Sequence, residues 1–176
     1  MYLWVGCCLP EEFAREIRGA CLERNVDLGL SMAALELPQH ISLKISFRTD
    51  DPGRVTEDLT EYLSARQPFR VRLTGAEQVG QILWMTVEEN ATLRQLHEEL
   101  DVRLASRFGV EQHPFDKCFI FHSTLFMDPD TEKIGRMQQM LENYPIAREL
   151  EVDTFLLGQS ESGQPGDYRI IRRIKV

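Results

Sequence analysis

Apolar and polar positions alternate with two periods along this chain, and the period changes often enough to define its elements. The run YLWVGCC before Pro10 is short, apolar and aromatic, which predicts a buried strand. A helix is expected next: Pro10 suits a first turn, Glu11 and Glu12 favour its positive end, and Phe13, Ile17, Ala20 and Cys21 share a face up to about Val26. From His40 to Phe47 the sequence HISLKISF has period two. That pattern predicts a strand with His40, Ser42, Lys44 and Ser46 on one side and Ile41, Leu43, Ile45 and Phe47 on the other. Asp51 and Pro52 open a second helix marked by Val55, Leu59, Tyr62 and Leu63.

The alternation of Phe69, Val71 and Leu73 with Arg70, Arg72 and Thr74, a turn near Gly80, and then ILWMTV predict two further strands. Leu93, Leu96, Leu100 and Leu104 mark a long helix stopping before Gly109. A strand is expected over 118–127, CFIFHSTLFM, and a helix capped by Asp128 and Pro129 that carries Ile134, Met137 and Leu141. The final strands are LEVDTFLLGQ and YRIIRRIKV.

This order repeats. Strand, helix, histidine strand, helix, strand occupies about 1–79 and recurs over about 82–160, leaving a closing strand near 167–175. Leu3, Trp4 and Val5 correspond to Leu83, Trp84 and Met85, Gly75 to Gly158, and His40 to His122. The expected fold is α+β: two pseudo-symmetric lobes of mainly antiparallel sheet around a central cleft, helices outside. No Gly-, Pro- or Ser-rich linker separates the halves, so 1–176 is expected to form a single bilobal domain.

Composition narrows the class. The 176 residues are 43% hydrophobic and 27% charged, ordinary for a chain that buries a core. With 20 basic against 28 acidic residues the net charge is −8, the wrong sign for gripping long nucleic acid through its phosphates, whereas a small or terminal phosphate remains within reach. No apolar run is long enough to span a bilayer, and the start lacks the basic region of a secretory signal. Cys7, Cys8, Cys21 and Cys118 have no metal-ligand spacing and read as reduced thiols. A cytoplasmic monomer is expected.

The candidate chemistry lies in HISL at His40–Leu43 and HSTL at His122–Leu125. In each, alternation places a hydroxyl, Ser42 or Thr124, on the face of the histidine. A hydroxyl can hold a phosphoryl oxygen while the imidazole moves a proton, and two such sets across a cleft supply both a base and an acid without a metal.

These two motifs, half a chain apart, resemble the hallmark H-x-[ST]-hydrophobic pair of the two-histidine (2H) phosphoesterase superfamily. Within it the chain is similar to the LigT-like bacterial "2′-5′ RNA ligase" proteins. The likeness extends to the opening YLWVGCCLP, the Trp-containing strand and the closing VDTFLLGQSESGQPGDY. It implies a bilobal fold, a cleft lined by both motifs, and metal-free chemistry on 2′,3′-cyclic or 2′-5′ linked ribose phosphates of nucleotides or RNA ends, with no cofactor. His40 and His122 would be acid and base, and Ser42 and Thr124 the phosphate-oxygen donors. RNA 2′-5′ ligation and a non-catalytic nucleotide-binding module are the alternatives.

Other residues admit two readings. Lys44 shares the face of His40 in the alternation and is either a substrate contact or a plain exposed strand lysine. Trp4 and Trp84 either stack on a base or pack in the core. Tyr168 is a candidate base or sugar contact. His97 reads as a packing residue beside its leucine stripe, and His113 as a loop residue. A four-histidine metal site lacks the spacing. Arg169, Arg172, Arg173 and Lys175 read as a solvated edge or, less simply, an RNA-binding stripe.

Overall fold

A computed structural model describes residues 1–164 and 166–176, so Pro165, in the predicted closing pattern, lies outside the described residues. Eight strands run β1 Tyr2–Cys8, β2 His40–Arg48, β3 Phe69–Val79, β4 Ile82–Val87, β5 His122–Met127, β6 Arg148–Val152, β7 Thr154–Ser160 and β8 Arg169–Lys175. The helices are α1 Glu11–Asn25, α2 Ala33–Glu36, α3 Pro52–Ser64, α4 Ala91–Phe108 and α5 Thr131–Leu141, with a 3-10 turn at Pro114–Cys118.

Local chemistry sets most boundaries. The Asp51 carboxylate accepts from the Arg54 N–H at the start of α3, and Asn90 accepts from Thr92 and Leu93 at the start of α4. Gly109 ends α4 with φ 65°, a left-handed position that favours glycine. Asp130, rather than Asp128, caps α5 by accepting from the Lys133 N–H. The expected strand over 118–127 starts only at His122, because Pro114–Cys118 winds into the 3-10 turn. His113 is the cap of that turn, its Nδ1 accepting from the Phe115 N–H.

Two four-stranded antiparallel sheets result, ordered β2-β1-β7-β8 and β5-β4-β3-β6. The repeat in the sequence is therefore not divided between the sheets as it is along the chain. The last strand of the first half, β3, pairs with β4, and β7 of the second half pairs with β1. LEVDTFLLGQ, expected as one strand, divides at Asp153 into β6 of one sheet and β7 of the other.

The core joins the inner sheet faces to the predicted helix stripes: Phe13 and Ile17 of α1, Val55 and Leu59 of α3, Leu93 to Leu104 of α4, and Ile134 and Met137 of α5.

Lys44 corrects the simple alternation. Between Leu3 and Gly6 the pairing of β1 with β2 shifts register twice, so β2 carries extra residues. Ser42 stands opposite Gly6 but Lys44 stands opposite the buried Val5, and a one-residue shift moves a side chain to the other face. Lys44 is 1% exposed and points away from the face of His40, so it is neither a substrate contact nor a solvated lysine. Its ammonium is paired with Asp101 at 2.6 Å and with Asp116. His97, also buried, lies beside this pair with ring nitrogens 2.8 Å from the Leu43 carbonyl and 3.1 Å from the Asp116 carbonyl. The four groups tie β2 to α4 and to the 3-10 turn.

Removing the ammonium leaves the buried Asp116 and the largely buried Asp101 without their counter-ion. Lys44→Met is therefore expected to cost about 3–5 kcal/mol of unfolding free energy, read from denaturant unfolding. A loss below about 1 kcal/mol would show that water already neutralises the cluster.

Candidate active site

Each histidine stands at the first position of an edge strand, β2 in one sheet and β5 in the other, and β2 lies next to β5. The neighbours of the two histidines are joined: the Ser123 hydroxyl, buried, donates to the buried Gln39 Oε1 at 3.0 Å. That bond links the residue before His40 to the residue after His122. The strands that the sequence could only suggest as facing are thus fastened at the motifs themselves.

The two imidazoles are held alike. His40 Nδ1 lies 2.7 Å from the Pro38 carbonyl and His122 Nδ1 lies 2.8 Å from the Ile120 carbonyl, each two residues back along the chain. A carbonyl can only accept, so Nδ1 carries the proton and Nε2 is left as the working nitrogen of each neutral ring. Trp4 stacks on His40 with ring centres 4.3 Å apart, and Trp84 leans on His122 at 4.1 Å. Both tryptophans contact the candidate catalytic rings.

Burial sets the charge of the pair. Desolvation holds His40 below the usual histidine pKa, against the Pro38 carbonyl, and the nearby His122 lowers it further. Desolvation also lowers His122, opposed by its bond to Ile120. A proton on one ring therefore discourages a proton on the other, which disfavours the doubly charged state.

Two glycines make room for the stack on His40. A Cβ at Gly6 would lie 2.8 Å from Trp4 Cζ3 and 3.1 Å from His40 Cδ2, and one at Gly158 would lie 2.0 Å from Trp4 Nε1. Gly75, its counterpart in the repeat, has open space and φ 157°, so the two glycines correspond in sequence but not in task.

Ser42 and Thr124 are half-buried, and neither hydroxyl has a hydrogen-bond partner among the described residues. Ser42 stands opposite Gly6 and Thr124 opposite Trp84, so each keeps the face of its histidine. Tyr168 is placed otherwise: its hydroxyl bonds to Ser46, farther along β2, and donates to the Gly163 carbonyl at 3.3 Å. It touches neither imidazole. A cavity of about 940 Å³ also opens toward that end of β2, lined by Ser46, Arg48, Arg54 and Arg107, and neither His40 nor His122 lines it.

His97, Asp101 and Asp116 have donor atoms within 4.8 Å of one another, a grouping with metal-ligand chemistry that sequence spacing did not reveal. The Lys44 ammonium contacts both carboxylates and already supplies their positive charge. The sequence reading also passed over Gln39 and Ser123, whose bond is visible only once β2 and β5 are neighbours.

Fold and site together define a class: two antiparallel sheets whose neighbouring edge strands each carry a histidine with a hydroxyl residue on its face. The chain belongs to the 2′-5′ RNA ligase superfamily, the 2H phosphoesterases, whose family model matches residues 9–164. No curated protein sequence matches it. Among solved structures, TT0787 of Thermus thermophilus is similar at a TM-score of 0.66 with 20% identity, over 99% of this chain and 97% of that one. Escherichia coli LigT, solved with 3′-AMP, is similar at a TM-score of 0.65 with 19% identity, over 99% and 97% of the two chains. These likenesses establish the fold. Among the described residues no helix is long and apolar enough to cross a membrane.

In an NMR titration both imidazoles are expected to take up their second proton below the usual pH of about 6.5. A methyl group at residue 158 must displace the indole, so Gly158→Ala is expected to move the shielded ring protons of His40 downfield and leave those of His122 in place. Unchanged His40 shifts would contradict the assigned stack.

Proposed function

We propose that the chain is a metal-independent hydrolase of 2′,3′-cyclic phosphodiesters at the ends of RNA or on nucleotides, working through His40 and His122. One observation supports this reading: equivalent positions of two neighbouring edge strands carry two imidazoles, each with Nδ1 against a backbone carbonyl and a half-buried hydroxyl residue on its face, near enough for the charge of His122 to act on His40. The ligands named for E. coli LigT, 3′-AMP, phosphate and ATP, fit a nucleotide site in the same fold.

In this mechanism the neutral histidine takes a proton from water through Nε2 as the water oxygen bonds to phosphorus. The protonated histidine gives its Nε2 proton to the leaving ribose oxygen as the P–O bond breaks. The products are a phosphate monoester and a free hydroxyl, and each histidine ends in the other's starting state. Ser42 and Thr124 donate to the non-bridging oxygens, where charge gathers in the transition state. With an RNA 5′-hydroxyl in place of water as the nucleophile, the same step opens the cyclic phosphate into a 2′-5′ diester, which is the ligation in the family's name.

With excess chelator present, His40→Ala and His122→Ala are each expected to lower kcat on adenosine 2′,3′-cyclic phosphate by about 10²-fold or more. Ser42→Ala and Thr124→Val are expected to lose less, about tenfold, as neutral donors. A requirement for added divalent metal, or saturable binding without product, would defeat the proposal.

The pH dependence follows from the lowered pKa of both rings. Each becomes neutral at a lower pH than a free histidine, so the bell of kcat/KM should peak below about pH 6.5, its alkaline limb marking loss of the acid's proton. A bound phosphate dianion or diester stabilises the imidazolium, so the kcat profile should lie to the alkaline side of it. A kcat/KM profile with one limb, or with its maximum above about pH 7.5, would contradict the pairing.

A further inference from the structure

The sheet face that carries His40 also carries a cation that the acid/base step does not use. Across the sheet, Arg173 of β8 stands opposite Leu156, Leu156 opposite Gly6, and Gly6 opposite Ser42. Directly opposed residues of antiparallel strands share a face, so Arg173 lies on the side of Ser42 and His40, not on a solvated back. Its guanidinium reaches inward to 4.0 Å from Cys8 Sγ, and Cys8 is the direct partner of His40 on the next strand. One strand spacing, about 5 Å, then separates that position from β2, a gap that a single ribose can bridge.

A cavity of about 700 Å³ opens here, lined by Cys8 and Arg173 together with Arg15 and Arg18 of α1, and by Glu11 and Glu36. Arg18 is engaged with the Leu35 carbonyl. Among the described residues neither Arg15 nor Arg173 has a carboxylate partner, although the chain carries 28 acidic residues against 20 basic ones. Three guanidiniums against two carboxylates make this pocket positive within a protein of net charge −8.

We infer that this cavity is a second phosphate subsite, in which Arg173 and Arg15 hold the 5′-phosphate of the nucleotide whose 2′,3′-cyclic phosphate lies between the histidines. The inference rests on the proposed reaction and names its substrate: a nucleotide with a phosphate on both sides of the ribose, as at an RNA 3′ end, not a nucleoside cyclic phosphate alone. The guanidinium fork suits a phosphate, and the contact gives binding without touching the reacting bonds.

The test compares kcat/KM for adenosine 2′,3′-cyclic phosphate, its 5′-phosphorylated form, and the dinucleotide ApA ending in a 2′,3′-cyclic phosphate. The native protein is expected to prefer the two phosphate-bearing substrates by about tenfold or more, the size of one charge-assisted contact. Arg173→Gln is expected to reduce that ratio about tenfold and to lessen its salt dependence, while Arg173→Lys keeps part of it. Preference for the 5′-phosphorylated form alone marks a terminal phosphate as the ligand, and preference for the dinucleotide alone marks an internal diester. An unchanged ratio in Arg173→Gln would overturn the subsite.

If the native protein turns over none of the three, the acid/base reading fails and calorimetry decides the subsite separately. Adenosine 5′-phosphate binding tighter than adenosine, with the difference lost in Arg173→Gln, would sustain the subsite. Equal binding would remove it.

Discussion

Had β3 stayed beside β1, and β7 beside β4, each half of the repeat would have closed its own sheet and nothing would compel the two histidine strands to meet. The observed pairing exchanges these strands, so each sheet is completed by the other half. Burial of both inner faces then depends on both halves, and β2 and β5 are brought side by side at the edges. The Gln39–Ser123 bond fixes their relative position at the histidines. This long-range constraint makes neighbours of two histidines that lie half a chain apart.

The proposed chemistry depends on burial that stops short of neutralising the site. The tryptophans and the sheet exclude water from the imidazoles, which lowers both pKa values, while the Pro38 and Ile120 carbonyls hold each ring in the tautomer that frees Nε2. Without a carboxylate behind it, neither ring is driven to the charged state, so in the proposed reaction the phosphate of the substrate is the dominant charge. Bare backbone at Gly6 and Gly158 lets the Trp4 ring lie flat enough to do this. Behind β2, the Lys44 cluster anchors the same strand with groups that play no part in proton transfer.

Much of this was legible in the sequence because it was local. Period-two runs, Asp51 and Asn90 as caps, Gly109 as a stop, and the repeated H-x-[ST] pattern each declare themselves over a few residues. What was not legible depends on register and sheet order. Lys44 alternates with His40 on paper, and only the register shifts against β1 turn it inward to Asp101 and Asp116, neither of which carries a local mark of burial. Asp153 divides a run that looks continuous, because the two parts pair in different sheets. Arg173 looks like one of several basic residues on an edge until the order β2-β1-β7-β8 puts it in a row with Ser42.

The central claim is that His40 and His122 address one phosphorus from opposite sides, and a crystal structure with a uridine–vanadate complex tests it most directly. Vanadate expands to five-coordinate geometry and mimics the phosphoryl transition state. The account predicts Nε2 of each histidine within about 2.6–3.2 Å of opposite apical oxygens, with Ser42 and Thr124 on the equatorial ones. Vanadate held by a single histidine, or bound away from both, would contradict it.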